Sequence, residues 1–135
     1  MTASHLRFLH PDGWARPRGY ANGVAADGRA VFVAGQVGWN AAGQFETDDF
    51  VGQVEQALTN VVAVLQAAGA SPQDLVRLTW YVTDKTAYIQ RQKEIGLAYR
   101  RVIGAHYPAM TLLVVSGFLE DRALVEIEAT AVLPS

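Results

Sequence analysis

Apolar segments bounded by turn residues predict five β-strands along the chain. They are expected at residues 23–26, 30–37, 75–82, 110–115 and 124–130, each rich in β-branched, aromatic or other apolar side chains. Asp27-Gly28, between the first two, is a residue pair that favours a tight hairpin turn. Residues 31–34 are apolar on both faces, which predicts a central position in the sheet for the second strand.

Two segments with a helical apolar repeat predict α-helices. The first follows residues 47–49, whose side chains suit a helix N-cap, and Gly69 is placed to end it. Its predicted buried face consists of Val51, Val54, Leu58, Val61, Val62 and Leu65, and its polar face of Gln53, Glu55, Gln56 and Asn60. The second helix is expected over residues 86–103, with Gly104 after its last turn.

The order β-β-α-β-α-β-β predicts an α+β (mixed α/β) domain with a mixed sheet and two helices on one face. Strands on either side of a helix are normally parallel and joined by a right-handed crossover. Residues 1–135 are expected to form one domain, with residues 1–18 as an irregular lead-in. A sheet covered on one side leaves its other face open, and we expect copies of the chain to associate through it.

The composition narrows the classes of function. Half of the 135 residues are apolar, and the chain has no cysteine for disulfides, thiolate metal sites or thiol catalysis. The formal net charge of −2 gives no overall attraction to nucleic acid or anionic lipid. The first ten residues are too polar for a signal peptide, and no apolar run approaches the roughly 20 residues that cross a bilayer. We expect a cytoplasmic protein that acts on a small molecule.

Several kinds of chemistry find no support in the motifs. The three histidines have no chelating spacing, and Asp48-Asp49 is better explained as a helix cap than as a metal site. The glycines Gly35 and Gly38 match neither a P-loop nor a dinucleotide fingerprint. The four serines stand outside any nucleophile elbow. No metal ion and no cofactor are therefore expected.

Two features remain as candidate sites. Gly35, near the end of an apolar strand, could let a ligand approach backbone N–H groups, although a polar strand end is the simpler interpretation. In the last strand, alternation puts Glu126 and Glu128 on one face. Such carboxylates either face solvent or become partly buried between subunits. Burial would raise the pKa of a carboxylate there and suit it to proton transfer.

Five segments in order resemble the RidA (YjgF-like) family. They are FVAGQ (32–36), AAGAS (67–71), YVTD (81–84), HYPA (106–109) and VEIEA (125–129), and the similarity runs in register over residues 19–132. The resemblance implies a chorismate-mutase-like fold assembled as a homotrimer with three clefts between subunits. It also implies hydrolysis of reactive enamines and imines to 2-keto acids and ammonia, without a cofactor.

The resemblance assigns roles to four positions. Glu126 matches the glutamate thought to hold the attacking water, and Tyr20 stands at the family's N-terminal tyrosine. The backbone of Gly35 is expected to face the ligand. Gln92 is taken as the counterpart of a family asparagine on the second helix.

Other positions depart from the family pattern. After the Pro-Ala pair at 108–109, the deaminases have an arginine that holds the substrate carboxylate with two hydrogen bonds, whereas this chain has Met110. The next positions, usually small or polar, are Thr111 and Leu112, and Ala34 replaces a family serine. The resemblance therefore implies a more apolar cleft without a guanidinium, suited to a less anionic ligand, including an aromatic one.

Two classes of function follow from this mixture of retained and lost residues. The first is a divergent enamine or imine deaminase, in which Glu126 positions water. The alternative is a non-catalytic trimer that binds a small metabolite as a sensor or carrier. A ribonuclease or translation inhibitor is disfavoured because the basic residues are scattered among acidic ones.

Overall fold

A four-stranded mixed sheet forms the centre of the computed structural model, which describes residues 5–135. The elements are β1 (Leu6–Leu9), β2 (Gly23–Ala26), β3 (Arg29–Val37), α1 (Phe50–Ala67), a 3₁₀ turn (Pro72–Asp74), β4 (Leu75–Val82), α2 (Lys85–Gln90), α3 (Gln92–Val102), β5 (Ala109–Val114) and β6 (Val125–Leu133). The sheet order is β3-β6-β4-β5, with β6 antiparallel to β3 and β4, and β5 parallel to β4. No helix within the described residues is both long and apolar enough to cross a membrane.

The sheet is covered by α1 and α3 on one face only. Side chains of β6 alternate, so that Val125, Ile127 and Ala129 are buried while Glu126 and Glu128 are only half-buried. The buried set packs with α1, α3 and β4 in one core cluster. The opposite side of the sheet, called the open face below, carries the two glutamates. The expected α+β architecture, a mixed sheet with its main helices on one face, is confirmed.

The expected hairpin at Asp27-Gly28 is wrong. β2 pairs with β1 in a separate two-stranded sheet, and β3 pairs with β6 instead. Gly28 has φ of 144°, and a Cβ there would collide with the backbone carbonyl of Leu133. The dipeptide therefore marks the place where the chain leaves one sheet and packs closely against β6 of the other.

Three further expectations differ from the structure. β3 is an edge strand and not a central one, and its two-sided apolar pattern reflects the open face, where Phe32 is 79 % exposed. Part of the lead-in is ordered as β1, because residues 6–9 pair with β2; the first four residues lie outside the described ones. The second helix is divided at Arg91, whose guanidinium lies 2.7 Å from both Asp49 and Glu94.

Gln53 was placed on the polar face of α1 and is fully buried. Its amide nitrogen donates to the carbonyls of Thr47 (3.1 Å) and Arg122 (3.0 Å), and its oxygen accepts from the N–H of Leu124 (2.8 Å). A buried amide is tolerated when its donors and acceptors are satisfied. Gln53 thereby fastens the loop before β6 to α1, a role that helical periodicity does not reveal.

Replacing Gln53 by leucine should lower the free energy of unfolding by about 1–3 kcal/mol, because it leaves buried backbone groups without partners. Chemical denaturation of the Gln53→Leu protein measures this loss. Gln56→Leu, on the same helix, is the matched control, since Gln56 bonds only to the side chain of Asn60. Equal losses in the two variants would contradict the fastening role of Gln53.

Candidate functional site

The predicted site residues fall into two groups on opposite sides of the sheet. Tyr20, Gln92, Met110 and Leu112 line one cavity of about 870 Å³ between α3 and β5, called the α3–β5 cavity. The other group, on β3 and β6, belongs to the open face. Each group is described in turn.

The register of β5 turns two of its side chains towards α3. Met110 pairs with Leu78 and Leu112 with Trp80, and residues paired across neighbouring strands share a face of the sheet. Leu78 and Trp80 are buried beneath the helices. Met110 and Leu112 therefore lie on the helix side of the sheet, at its edge.

A short bridge places Tyr20 beside the same cavity. The N–H of Ala21 donates to the Pro108 carbonyl at 2.9 Å, and Ala21 pairs with Ala109 in a parallel β-bridge. The segment before β2 is therefore fixed next to the start of β5. Tyr20, one residue earlier, is 42 % exposed and lines the cavity mouth.

Three aromatic rings form the inner wall of the cavity. The Tyr99 ring stacks on Tyr107 at 5.4 Å between centroids and lies 6.4 Å from Trp80. The Tyr99 hydroxyl donates to the His106 carbonyl, and burial raises the pKa of Tyr99, so that it remains a neutral phenol. The buried indole Nε1 of Trp80 has no hydrogen-bond partner among residues 5–135.

On the open face, a β-bulge brings Gly35 against Glu126. Val33 pairs with Ala129 and Gln36 with Ile127, so two residues of β3, Ala34 and Gly35, oppose a single residue of β6. A Cβ on residue 35 would collide with the Glu126 carboxylate. Only glycine lets that carboxylate lie directly against the strand backbone, and the neighbouring Ala34 is exposed.

The two glutamates of β6 differ in their partners. Glu128 accepts a hydrogen bond from the Tyr81 hydroxyl at 2.6 Å, and this bond raises the pKa of Tyr81. The Glu126 carboxylate accepts no hydrogen bond from any other described residue, so it is free to bind a water molecule or a ligand. Alternation along the strand indicates that the two share a face, but does not separate the free carboxylate from the engaged one.

The cavity also contains cations that the sequence analysis missed. Arg18, Lys93 and Arg100 line it, and no aspartate or glutamate does. The cavity of the single chain therefore includes guanidinium groups, and what is absent is an arginine on β5. The sequence does carry a signal for two of these cations. Lys93 and Arg100 are seven residues apart, and side chains with that spacing lie on the same face of a helix.

Comparison with known proteins identifies the family. The family model described as Endoribonuclease L-PSP matches residues 15–133. The chain belongs to this family, which is the RidA (YjgF-like) family. The resemblance found in the sequence is confirmed.

The most informative relatives include deaminases and proteins of unassigned activity. A 2-iminobutanoate/2-iminopropanoate deaminase of Capra hircus is 32 % identical, covering 84 % of this chain and 79 % of the relative. A RutC family protein of Pyrococcus horikoshii is 32 % identical, covering 83 % and 85 %. The crystal structure of the Rid family protein YyfB from Yersinia pestis, described as of unknown function, has a TM-score of 0.85 at 34 % identity, covering 96 % and 99 %.

His106, which the aromatic wall touches through its carbonyl, makes stability sensitive to acid. Its Nε2 lies 2.8 Å from the Leu75 carbonyl, and burial holds the pKa of His106 below its ordinary value. Near pH 6.5 the unfolded chain therefore binds a proton at this histidine more readily than the folded chain does. As a result, the free energy of unfolding falls as the pH drops through that range.

We expect His106→Gln, which keeps a donor for the Leu75 carbonyl, to reduce this fall. Urea denaturation of both proteins at pH values above and below the histidine range measures it. His10→Gln, the same substitution at an exposed histidine, is the control. A His106→Gln protein that loses as much stability in acid as the natural chain would contradict this assignment.

Proposed function

We propose that this chain forms a homotrimer whose clefts between subunits hydrolyse an enamine or imine to a carbonyl compound and ammonia. The observation that carries the proposal is the free Glu126 carboxylate lying against the backbone of Gly35. Similarity to the 2-iminobutanoate/2-iminopropanoate deaminases supports this class of reaction.

The division of the candidate residues between two sides of the sheet supports assembly. Met110 faces the helices and Glu126 the open face, so one chain does not bring them into one cleft. The open face also exposes large apolar side chains, including Phe32 (79 %) and Leu113 (48 %). Burial of such a surface favours association, and a neighbouring copy would complete each site.

In the proposed reaction, water adds to the carbon of the C=N bond and that carbon then releases nitrogen as ammonia. Glu126 accepts a hydrogen bond from the water, takes its proton as the C–O bond forms, and returns a proton to the leaving nitrogen. The Gly35 N–H donates to the charge that develops on the substrate. Every atom comes from the imine and one water, so neither a metal nor a cofactor is required.

The substrate proposed for this site lacks a carboxylate next to the reacting carbon. In the family pattern that carboxylate is held by an arginine on β5, and Met110 stands in its place. A thioether cannot replace the two charged hydrogen bonds of a guanidinium. Imines formed by oxidation of arylalkylamines are the first candidates, because methionine and the aromatic wall offer them an apolar surface.

The first test is ammonia release from an imine of phenethylamine, generated in situ by an amine oxidase. We expect the assembled protein to accelerate hydrolysis over buffer. Glu126→Gln should lower kcat/KM by about 100-fold or more, because the amide cannot take the proton of the water. Glu128→Gln is the matched control on the same strand and face. Sedimentation confirms that each variant remains assembled.

Absence of turnover with aromatic and alanine-derived imines alike would contradict the deaminase proposal. The lost arginine then favours the second candidate, a non-catalytic trimer that binds a small metabolite. In that case a ligand binds with unchanged affinity after Glu126→Gln. A lone monomer in sedimentation would remove both candidates, because no complete cleft would exist.

Restoring an arginine at position 110 tests the substrate assignment. Met110→Arg should raise activity towards the imine of alanine, which carries a carboxylate beside the reacting carbon, and lower it towards the imine of phenethylamine. Met110→Gln, which is polar but uncharged, is the control. If the arginine variant remains assembled and shows no gain with the alanine imine, residue 110 does not set this preference.

A further inference from the structure

The α3–β5 cavity has a strong imbalance of charge. Three cationic side chains line it and no carboxylate does, in a chain whose formal net charge is −2. We propose that this cavity binds a small molecule with an apolar or aromatic body and an anionic group held by Arg18, Lys93 and Arg100. The inference deepens the proposed function, on which its catalytic meaning rests, by naming the substrate class of the same site.

The cations of the cavity differ from the paired arginines around them. Arg91, Arg101 and Arg122 each lie within 3 Å of a carboxylate oxygen. Among the described residues, no carboxylate lies within 4.0 Å of the cationic groups of Arg18, Lys93 or Arg100. Unneutralised charge of one sign in a concave site attracts an oppositely charged ligand, because the surrounding protein focuses the field.

Helix geometry fixes the distance between two of the cations. Lys93 and Arg100 are two turns apart on α3, a separation of about 10 Å along the axis. Gly96 lies between them and also lines the cavity. A Cβ on Gly96 would meet no heavy atom within 4 Å, so the surface between the two cations is open. A ligand can therefore pass over Gly96 and contact either cation.

The remaining lining suits the body of such a ligand. The aromatic wall of Trp80, Tyr99 and Tyr107 provides ring faces, and Met110 and Leu112 add apolar surface. A cavity of about 870 Å³ is of the size that holds small organic ligands.

The cations of the cavity belong to elements other than β5. They come from α3 and from the segment before β2, whereas β5 offers only Met110 and Leu112 at the cavity. The anionic group of the substrate would thus be held by α3 and by the segment before β2, and not by a guanidinium on β5. This arrangement explains how a site can lose the arginine on β5 and still select an anion.

Calorimetry on the assembled protein tests the proposal with three probes that undergo no hydrolysis. They are 4-phenylbutanoate, its neutral amide 4-phenylbutanamide, and butanoate, which lacks the ring. We expect the phenyl carboxylate to bind about tenfold more tightly than either of the others. The advantage over the amide should shrink between about 50 and about 200 mM salt, because salt screens exposed charges.

Matched variants locate the binding site. Lys93→Gln and Arg100→Gln should each weaken 4-phenylbutanoate severalfold and leave the amide unchanged. Their controls are Lys85→Gln and Arg101→Gln, which remove the same charge outside the cavity and should have little effect. Gly96→Leu should block both ring-containing probes, whereas Gly96→Ala leaves room for them and suits a helix interior.

Three results would overturn the inference. One is equal affinity for the carboxylate and the amide, and another is an equal effect of Lys85→Gln and Lys93→Gln. The third is tighter binding of a short oligoribonucleotide than of the phenyl carboxylate, which would assign the cations to nucleic acid. Because no turnover is measured, selective anion binding without ammonia release would sustain this inference while the proposed reaction fails.

Discussion

Strict alternation along β6 constrains everything else in this molecule. Because successive side chains of a strand point to opposite faces, the residues that fill the core under α1 and α3 force Glu126 and Glu128 onto the open face. The same rule, transmitted through the parallel pairing of β4 and β5, turns Met110 and Leu112 towards the helices. The sheet thus places the Glu126 carboxylate and the α3–β5 cavity on opposite faces. Rotation of side chains does not bring the two together within one chain.

Two local features of the backbone position the residues in each half of the proposed site. On β3, the bulge at Ala34 and Gly35 removes a side chain where the Glu126 carboxylate lies, which leaves a glutamate without a partner beside exposed backbone. At the cavity, the bridge between Ala21 and Ala109 holds Tyr20 beside β5. In both places, backbone pairing positions the candidate side chains, so precision does not depend on long flexible residues.

The sequence predicted those parts of the fold that follow from local periodicity. The bounds of β2 and β4 and the burial of the apolar face of α1 are examples. It did not predict that Gln53 is buried, because its three hydrogen bonds join segments up to 71 residues apart. It mistook the apolar outer face of β3 for a sign of a central position, since periodicity does not distinguish a covered apolar face from an exposed one. The cations of the cavity were also missed, because they come from two separate segments.

The loss of one arginine need not mean the loss of anion selectivity. A guanidinium on β5 would hold a carboxylate beside the reacting carbon through a fixed pair of hydrogen bonds. The cations of the cavity come instead from the segment before β2 and from α3, where Lys93 and Arg100 are about 10 Å apart along the axis. In the proposed complex, these cations hold the anionic group of the ligand and the aromatic wall contacts its body. Under the proposal, Met110 removes one way of holding a carboxylate, and Arg18, Lys93 and Arg100 provide another.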